Sequence, residues 1–398
     1  SSDLKKMDMG SSRTKLNIAM FGHKRIPSRE GGIEVVVEEL STRMVKYGHE
    51  VTCYNRRGHN VAGVEFDGEK LHEFKGVKLK YVFTINKRGL AAMTASMSAS
   101  FKAAFGKYDV VHIHAEGPAF MCWLPKLMGK RVIVTIHGLD HKRAKWGRLA
   151  SAFIMMGEKN AVKYADEIIV LSKNNQNYFM TKYGRLTLFI PNGVNEAKKR
   201  AVDEIRKKWG LEKDGYILYL GRIVPEKGGI YLIEAFKQVR TGKKLVIAGG
   251  SSDTDEFMSK LKNMAGDDER IIFTGFVQGR IKHELYSNAY LYTLPSDLEG
   301  MPLSLLEAMS YGNCCLTSDI DECVEVVEDK AITFRKGNVE DLKEKIQMLC
   351  DYPDLVQKYK EEAEDFIRKK YNWNDVVDKT LDLYLNRGER KNEGFDDK

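Results

Sequence analysis

Two glutamates, Glu299 and Glu307, stand in one short segment with seven residues between them. A polar loop after the apolar residues 289–294 carries Glu299, and a helix predicted to begin near Pro302 carries Glu307. Both carboxylates can then face one ligand at the helix N-terminus, where free N–H groups and the helix dipole favour an anion. An ordinary turn residue and a solvated helix residue are the alternative for an isolated pair, so the surrounding sequence must decide.

Two cations, Arg222 and Lys227, lie in a loop between a predicted strand at 216–220 and a predicted helix. Arg222 can fork two oxygens of a diphosphate, and Lys227 can act as a point charge; a charged surface loop is the alternative for the two alone. Together with Glu299 and Glu307 they suit a nucleotide-activated sugar. The cations would neutralise the diphosphate, one carboxylate would bind ribose hydroxyls, and the other would face the sugar or a positive charge developing at its anomeric carbon. Because protein cations can stabilise such a leaving group, we expect no metal or cofactor.

Apolar strands that alternate with amphipathic helices must position these residues. Residues 16–22 predict a strand that ends at glycine, and Gly31 and Gly32 precede a helix, so backbone can approach a ligand there. His137 follows a strand at 132–136, at the edge where parallel sheets bind ligands, although a lone histidine at a strand end is usually structural. The alternation resumes after residue 216, with 324–327 and 331–334 predicted as strands that end the second sheet.

This pattern predicts an α/β protein with two parallel sheets, each covered on both faces, and therefore two Rossmann-like domains facing across a cleft. We predict an N-terminal domain at 15–195, a C-terminal domain at 196–373, and a last helix at 374–386. Residues 1–14 and 387–398 are expected to be disordered tails.

Composition is that of a globular protein. The 398 residues are 43% hydrophobic and 30% charged, which suits two domains, and no apolar run is long enough to cross a bilayer. Six cysteines without C-x-x-C spacing argue against a zinc site and a disulfide framework, and a reducing cytoplasm fits. No secretory signal precedes the first strand, so we expect the chain to stay where it is made.

Charge is uneven along the chain. The net charge is +8, with +14 in residues 1–195 and −6 in the remainder. A basic surface can meet nucleic acid, anionic lipid or a phosphorylated substrate, or have no specific partner, and no nucleic-acid motif supports the first option. Residues 90–105 predict a packed helix. Four cations, Lys87, Arg88, Lys102 and Lys107, flank it and allow weak contact with an anionic membrane surface as the alternative, although Ala and Ser bury little area.

The motifs resemble those of the retaining glycosyltransferases of family 4, which have the GT-B fold. The most specific stretch is EGMPLSLLEAM at 299–309, which is similar to the family's E-x7-E signature. GRIVPEKG at 221–228 matches its diphosphate-binding pair, and GGIE at 31–34 matches its N-terminal glycine loop. Within the family, IPSREGGIEVVVEEL and HGLDHKRAKWGRLA resemble a branch of bacterial cell-surface polysaccharide enzymes that includes rhamnosyltransferases.

The resemblance implies a role for each motif residue. Glu307 would bind the nucleotide ribose, Glu299 the donor sugar, and Val277 would lie near the base, with His137 beside the sugar. It implies catalytic roles for Glu299, His137, Arg222 and Lys227. The implied donor-binding set is Gly31, Gly32, Arg222, Lys227, Val277, Glu299, Gly300, Met301, Pro302, Leu303 and Glu307.

The implied reaction is metal-independent transfer of a hexosyl group, with net retention, in cell-surface polysaccharide synthesis. The donor would be a UDP- or dTDP-sugar, with dTDP-rhamnose as one candidate, and the acceptor a saccharide or a lipid-diphosphate-linked saccharide held by the basic N-terminal domain. The last helix would cross back onto that domain. Two alternatives stay open, a catalytically idle nucleotide-sugar-binding subunit and a GT-B sugar-nucleotide epimerase.

Overall fold

Two parallel sheets organise the chain, as the alternating pattern predicts. A computed structural model describes residues 14–28, 31–58, 70–87, 90–142, 147–250 and 255–386. The predicted tails, apart from residue 14, and Arg88 lie outside the described residues. None of the described helices combines the length and apolar content needed to cross a membrane.

The first sheet has eight strands in the order β3-β4-β2-β1-β5-β6-β7-β8, and every neighbouring pair is parallel except β3 with β4. Helices cover both of its faces, as burial of a parallel sheet requires. The strands are β1 (Asn17–Phe21), β2 (Glu50–Arg56), β3 (Glu73–Phe74), β4 (Val77–Val82), β5 (Val110–His114), β6 (Arg131–Ile136), β7 (Glu167–Val170) and β8 (Leu188–Phe189), and the helices are α1 (Gly32–Lys46), α2 (Leu90–Phe105), α3 (Trp123–Leu127), α4 (Arg148–Tyr164) and α5 (Lys173–Tyr183).

The second sheet has six strands in the order β11-β10-β9-β12-β13-β14, all parallel. Its strands are β9 (Tyr216–Leu220), β10 (Lys244–Ala248), β11 (Ile271–Gly275), β12 (Leu291–Leu294), β13 (Cys315–Ser318) and β14 (Ile332–Phe334). Its helices are α6 (Glu204–Trp209), α7 (Gly229–Gln238), α8 (Asp255–Ala265), α9 (Gly279–Asn288), α10 (Leu303–Ser310), α11 (Asp321–Val327), α12 (Val339–Asp351) and α13 (Pro353–Lys370).

The last helix, α14 (Trp373–Leu385), returns to the first sheet, as the resemblance implies. Val377, Leu381 and Tyr384 are buried in the core cluster that contains β1 and α1 residues. The Arg131 side chain donates a hydrogen bond to the carbonyl of Leu383 at 2.7 Å. The chain therefore closes on the domain from which it starts.

The prediction of a strand at 324–327 is wrong, because these residues end helix α11. The three valines suggest a strand, but Cys323, Val326 and Val327 are buried at helical spacing. Asp321 and Glu322 occupy the first turn, where acidic residues favour a helix. Helices α5 and α6 were not predicted at all. All six cysteines are free in the structure, five of them buried.

Candidate functional site

Sheet order brings the two predicted motifs together. Strands β9 and β12 are neighbours in a parallel sheet, so the loops that leave their carboxyl ends are adjacent. The Asp297 amide donates to the Glu226 carbonyl at 2.8 Å, and the Tyr231 hydroxyl donates to Asp297 Oδ2 at 3.0 Å. Gly228 has a φ of +69°, and a Cβ there would lie 1.8 Å from the Pro295 carbonyl oxygen. Only glycine lets the two loops approach this closely.

Lys227 and Glu299 form an ion pair at this junction. Lys227 Nζ donates to Glu299 Oε1, although the two residues are 72 positions apart in the chain. The side chains are 13% and 7% exposed, so both charges are largely removed from water. Each charge depends on its partner, because an isolated buried charge is costly. A diphosphate that replaced Glu299 as the partner of Lys227 would release the carboxylate for a new contact.

Arg222 lies at the carboxyl end of β9, on the same loop as Lys227, and its side chain is half-buried. Its carbonyl accepts a hydrogen bond from the Tyr219 hydroxyl at 2.8 Å. Burial, reinforced by the negative charge of Glu299, raises the pKa of Tyr219, so this hydroxyl keeps its proton and acts as a donor. The contact fixes the backbone from which the guanidinium extends.

Glu307 lies on α10 and contacts helix α9. Lys282 Nζ donates to Glu307 Oε1 at 2.7 Å, and the Tyr286 hydroxyl donates to Oε2 at 3.3 Å. Lys282 and Tyr286 are one helical turn apart and therefore share a face of α9. Neither residue belongs to the predicted donor-binding set, and no signal local to α9 identifies them. Glu307 is thus held in place before any ligand binds.

Residues of the predicted N-terminal site meet the segment that follows Glu299. A Cβ on Gly300 would lie 1.7 Å from the carbonyl oxygen of His137, so the two backbones are in direct contact across the cleft. A Cβ on Gly32 would lie 3.3 Å from Leu303 Cδ1. The structure therefore places Gly300 against His137 and Leu303 against Gly32.

Met301 and Pro302 are the other two residues of the segment 300–303. The Asn192 amide donates to Met301 Sδ at 3.0 Å. Pro302 is the N-cap of α10, close to the predicted start of that helix. The segment 300–303 consequently contacts the N-terminal domain at three separate points along the chain.

His137 begins a buried chain of polar side chains. Its Nε2 lies 3.0 Å from His114 Nδ1, and the His114 ring stacks on His112. His112 in turn contacts the hydroxyls of Tyr384 at 2.6 Å and Thr135 at 2.7 Å. Burial, with a smaller effect of charge on His137, lowers the pKa of His112 to about 3, so this ring stays neutral at physiological pH. These contacts connect His137 to helix α14.

The last two predicted site residues are Gly31 and Val277. Gly31 is the N-cap of α1, next to Glu34, whose Oε1 accepts from the Lys24 amide at 2.8 Å. Burial alone would raise the pKa of Glu34, but the charge and amide of Lys24 lower it, so the carboxylate stays ionised. Val277 is half-buried beyond the edge strand β11, which β10 separates from β9. Since β11 is a neighbour of neither β9 nor β12, strand order does not place Val277 beside the Lys227–Glu299 pair.

Within the described part of the chain, one group of His and acidic side chains has the spacing of a metal site. Ligand atoms of Glu116, His141 and Glu158 lie within 4.8 Å of one another. Glu158 Oε1 accepts from Lys182 Nζ at 2.9 Å and from the Tyr178 hydroxyl at 3.0 Å. Burial, with repulsion from neighbouring carboxylates, raises the pKa of Glu116 to about 10. Glu116 therefore keeps its proton and shares a hydrogen bond with Glu158.

This shared proton makes stability depend on pH. The folded chain keeps a proton on Glu116 that the unfolded chain releases above the ordinary pKa of 4.5. The contribution of this carboxyl to the free energy of unfolding therefore falls as the pH rises above that value. We expect Glu116→Gln, whose amide donates to Glu158 at every pH, to flatten this dependence in urea unfolding at about pH 5, 7 and 9.

The control is Glu344→Gln, which replaces an exposed carboxyl on α12 and should keep the wild-type pH dependence. Glu158→Gln should lose about 2 kcal/mol, because Lys182 loses its carboxylate partner. An unchanged slope in Glu116→Gln would show that this carboxyl titrates in its ordinary range.

Two family models cover the two halves of the chain. Residues 30–198 match the model described as Glycosyltransferase Family 4, and residues 201–373 match the model described as Glycosyl transferases group 1. An uncharacterized glycosyltransferase of Methanocaldococcus jannaschii is 24% identical over 400 residues, which cover 93% of this chain and 98% of that protein. The alpha-D-kanosaminyltransferase of Streptomyces kanamyceticus is 25% identical, with coverage of 70% and 77%.

Solved structures share the architecture. Sucrose-phosphate synthase from Thermosynechococcus elongatus superimposes with a TM-score of 0.76 at 20% identity, covering 93% of this chain and 98% of that one. Anabaena HepE in complex with UDP-glucose gives 0.76 at 15% identity, with coverage of 92% and 98%. Two facing parallel α/β domains with a returning last helix define the GT-B fold. The two family models together span residues 30–373, and the chain belongs to the glycosyltransferases that they describe, group 1 and family 4.

Proposed function

We propose that the protein transfers a hexosyl group from a nucleotide-diphosphate sugar to a saccharide or lipid-diphosphate-linked saccharide, with net retention of anomeric configuration and without a metal ion. The observation that supports this most directly is the buried Lys227–Glu299 pair at the junction of the two loops. It holds a cation and a carboxylate ready for a ligand that carries both phosphate and hydroxyl groups.

Each charge has a task in this proposal. Arg222 and Lys227 would bind the diphosphate and stabilise the negative charge that grows on it as the bond to the anomeric carbon breaks. Glu299, released from Lys227, would accept hydrogen bonds from sugar hydroxyls and favour the positive charge that develops on the sugar ring. Glu307, held by Lys282 and Tyr286, would accept hydrogen bonds from the ribose. Since two cations serve the leaving group, no step needs a metal.

Domain contact supports the same proposal. Segment 300–303 touches the N-terminal domain beside His137, so a sugar bound near Glu299 would lie where the two domains meet. The N-terminal half, with its net charge of +14, would receive an acceptor that carries phosphate. We propose that the reaction takes place in the cytoplasm, as a step in cell-surface polysaccharide synthesis.

The test is a donor panel with the full chain. UDP-glucose is the first candidate, because HepE was solved with it, and dTDP-rhamnose follows from the resemblance to rhamnosyltransferases. Release of the nucleotide diphosphate is measured with and without EDTA, and the anomeric configuration of the product is read by NMR. We expect turnover with one donor, unchanged by EDTA.

Three outcomes would contradict the proposal. Donor binding without turnover across a full acceptor panel would indicate an idle subunit. Release of a free epimerised sugar nucleotide would indicate an epimerase. Turnover lost in EDTA and restored by a divalent cation would refute metal independence.

A further inference from the structure

Helix α2 has its large and small side chains on unexpected faces. The buried face consists of small residues, Ala95, Ser96, Ala99, Ser100, Ala103 and Ala104. The exposed residues include Leu90, Met97, Phe101 and Phe105, with Phe101 49% and Phe105 66% accessible. A helix on the surface of a globular protein ordinarily turns its large apolar residues toward the core. Here they face outward.

These exposed side chains form one continuous stripe. Met97, Phe101 and Phe105 follow one another at four-residue intervals, so they lie on the same side of α2. Single exposed apolar residues are normal, whereas an aligned set is typical of an interaction surface.

The loop before the helix extends the stripe. The Phe83 amide donates to Ser98 Oγ at 3.4 Å, and the Ile85 amide donates to Thr94 Oγ1 at 3.0 Å. This chain segment therefore runs beside α2, and Phe83 is 59% exposed. We name the set Phe83, Ile85, Leu90, Met97, Phe101 and Phe105 the α2 surface.

Charge along the chain segment that carries the α2 surface has a single sign. Residues 74–108 contain seven Lys and Arg residues and no Asp or Glu. Lys87 lies before α2, Lys102 on it and Lys107 just after it, and all three are exposed. Long cationic side chains beside apolar rings suit the boundary of an anionic bilayer, where the rings enter the acyl region and the ammonium groups reach lipid phosphates. A protein partner would have to be acidic and apolar in the same area.

We propose that the α2 surface docks the protein on an anionic lipid bilayer, with the phenylalanine rings inserted at the headgroup boundary and the surrounding lysines on lipid phosphates. Helix α2 packs on its own domain through the Ala and Ser face, so its outer face is available for lipid. This docking is independent of the donor chemistry proposed above, since it uses neither Lys227 nor Glu299.

The test is co-sedimentation of the full chain with phosphatidylcholine vesicles of which about a third is phosphatidylglycerol. We expect binding that weakens between about 0.1 M and about 0.5 M salt and is much weaker on pure phosphatidylcholine. The double variant Phe101→Ser/Phe105→Ser should lose ~10-fold or more in vesicle affinity. Lys87→Ala/Lys102→Ala should bind less tightly and with a smaller salt dependence.

A matched control removes two similarly exposed apolar side chains elsewhere. Leu186→Ser/Tyr352→Ser changes side chains that are 60% and 63% exposed, and it should bind vesicles like the wild type. Thermal unfolding checks that every variant is folded. No donor is present, so failure of the proposed reaction would leave the result intact.

Two results would overturn the proposal. The first is equal vesicle binding by the wild type and the phenylalanine variant. The second is a wild-type dimer in light scattering that becomes monomeric in this variant, without vesicle binding by either, which would assign the α2 surface to a second copy of the chain.

Discussion

Replacing Lys227 with alanine is expected to weaken donor binding and to lower turnover together, with a loss of about 2–4 kcal/mol in transition-state stabilisation. The ammonium would contact the diphosphate in the bound donor and gain strength as negative charge grows there. Its loss therefore affects both KM and kcat. Steady-state kinetics with the donor identified by the panel measures both, and isothermal titration with the nucleotide diphosphate measures binding alone.

Because Lys227 and Glu299 form an ion pair, replacing either should also change the stability of the protein. Lys227→Ala and Glu299→Ala each leave a largely buried charge without its partner, so each should lower the unfolding midpoint and turnover. The double variant should recover part of the lost stability but none of the activity, because the site lacks both charges. Lys237→Ala, on the exposed side of α7, is the control and should leave both unchanged. Wild-type kinetics in Lys227→Ala would show that the reaction occurs elsewhere.

Replacing Gly300 with alanine is expected to reduce kcat/KM by about 100-fold, which is the scale of a 1 Å displacement at a reacting centre. The new Cβ would lie 1.7 Å from the His137 carbonyl oxygen, so the loop or the facing domain must move. Because the clash involves backbone on the opposite side, no rotamer change can relieve it. Glu299, the next residue in the chain, would shift with the loop.

The matched control is Gly242→Ala, at a surface position where an added Cβ meets no atom within 4 Å. It should keep wild-type kcat/KM and thermal stability. X-ray scattering would show whether the domains of Gly300→Ala move apart. Full activity in Gly300→Ala would mean that the backbone contact with His137 plays no part in the reaction.

The parts of the fold that the sequence predicts are those with a local signal. Strand β9 and helix α2 have the bounds that their own residues predict, 216–220 and 90–105. Helix α5 escaped prediction because it buries only Asn175 and Phe179, which leaves almost no apolar period. Its local signals lie at its two ends: the Ser172 hydroxyl at the N-cap accepts from the Asn175 amide at 3.2 Å, and Gly184 ends the helix with a φ of +61°.

The residues of the candidate site also divide into those that belong to a local sequence motif and those that do not. The spacing of Glu299 and Glu307, and the cations of the β9 loop, could be identified in the sequence because each motif occupies one loop or one helix turn. Lys282 and Tyr286 could not, since nothing near them in the chain indicates that α9 packs beside α10. Their role depends on which helices become neighbours.

The sequence by itself determined two parallel α/β domains and the four charged side chains proposed to act on a nucleotide-activated sugar. Periodicity, glycine turns and motif spacing are short-range properties, which is why they can be identified without a structure. Only the tertiary structure decided that Lys227 pairs with Glu299, that Gly300 meets His137, and that α2 turns its phenylalanines outward. Those facts follow from strand order and domain contact, which join residues far apart in the chain and leave no mark in the local pattern.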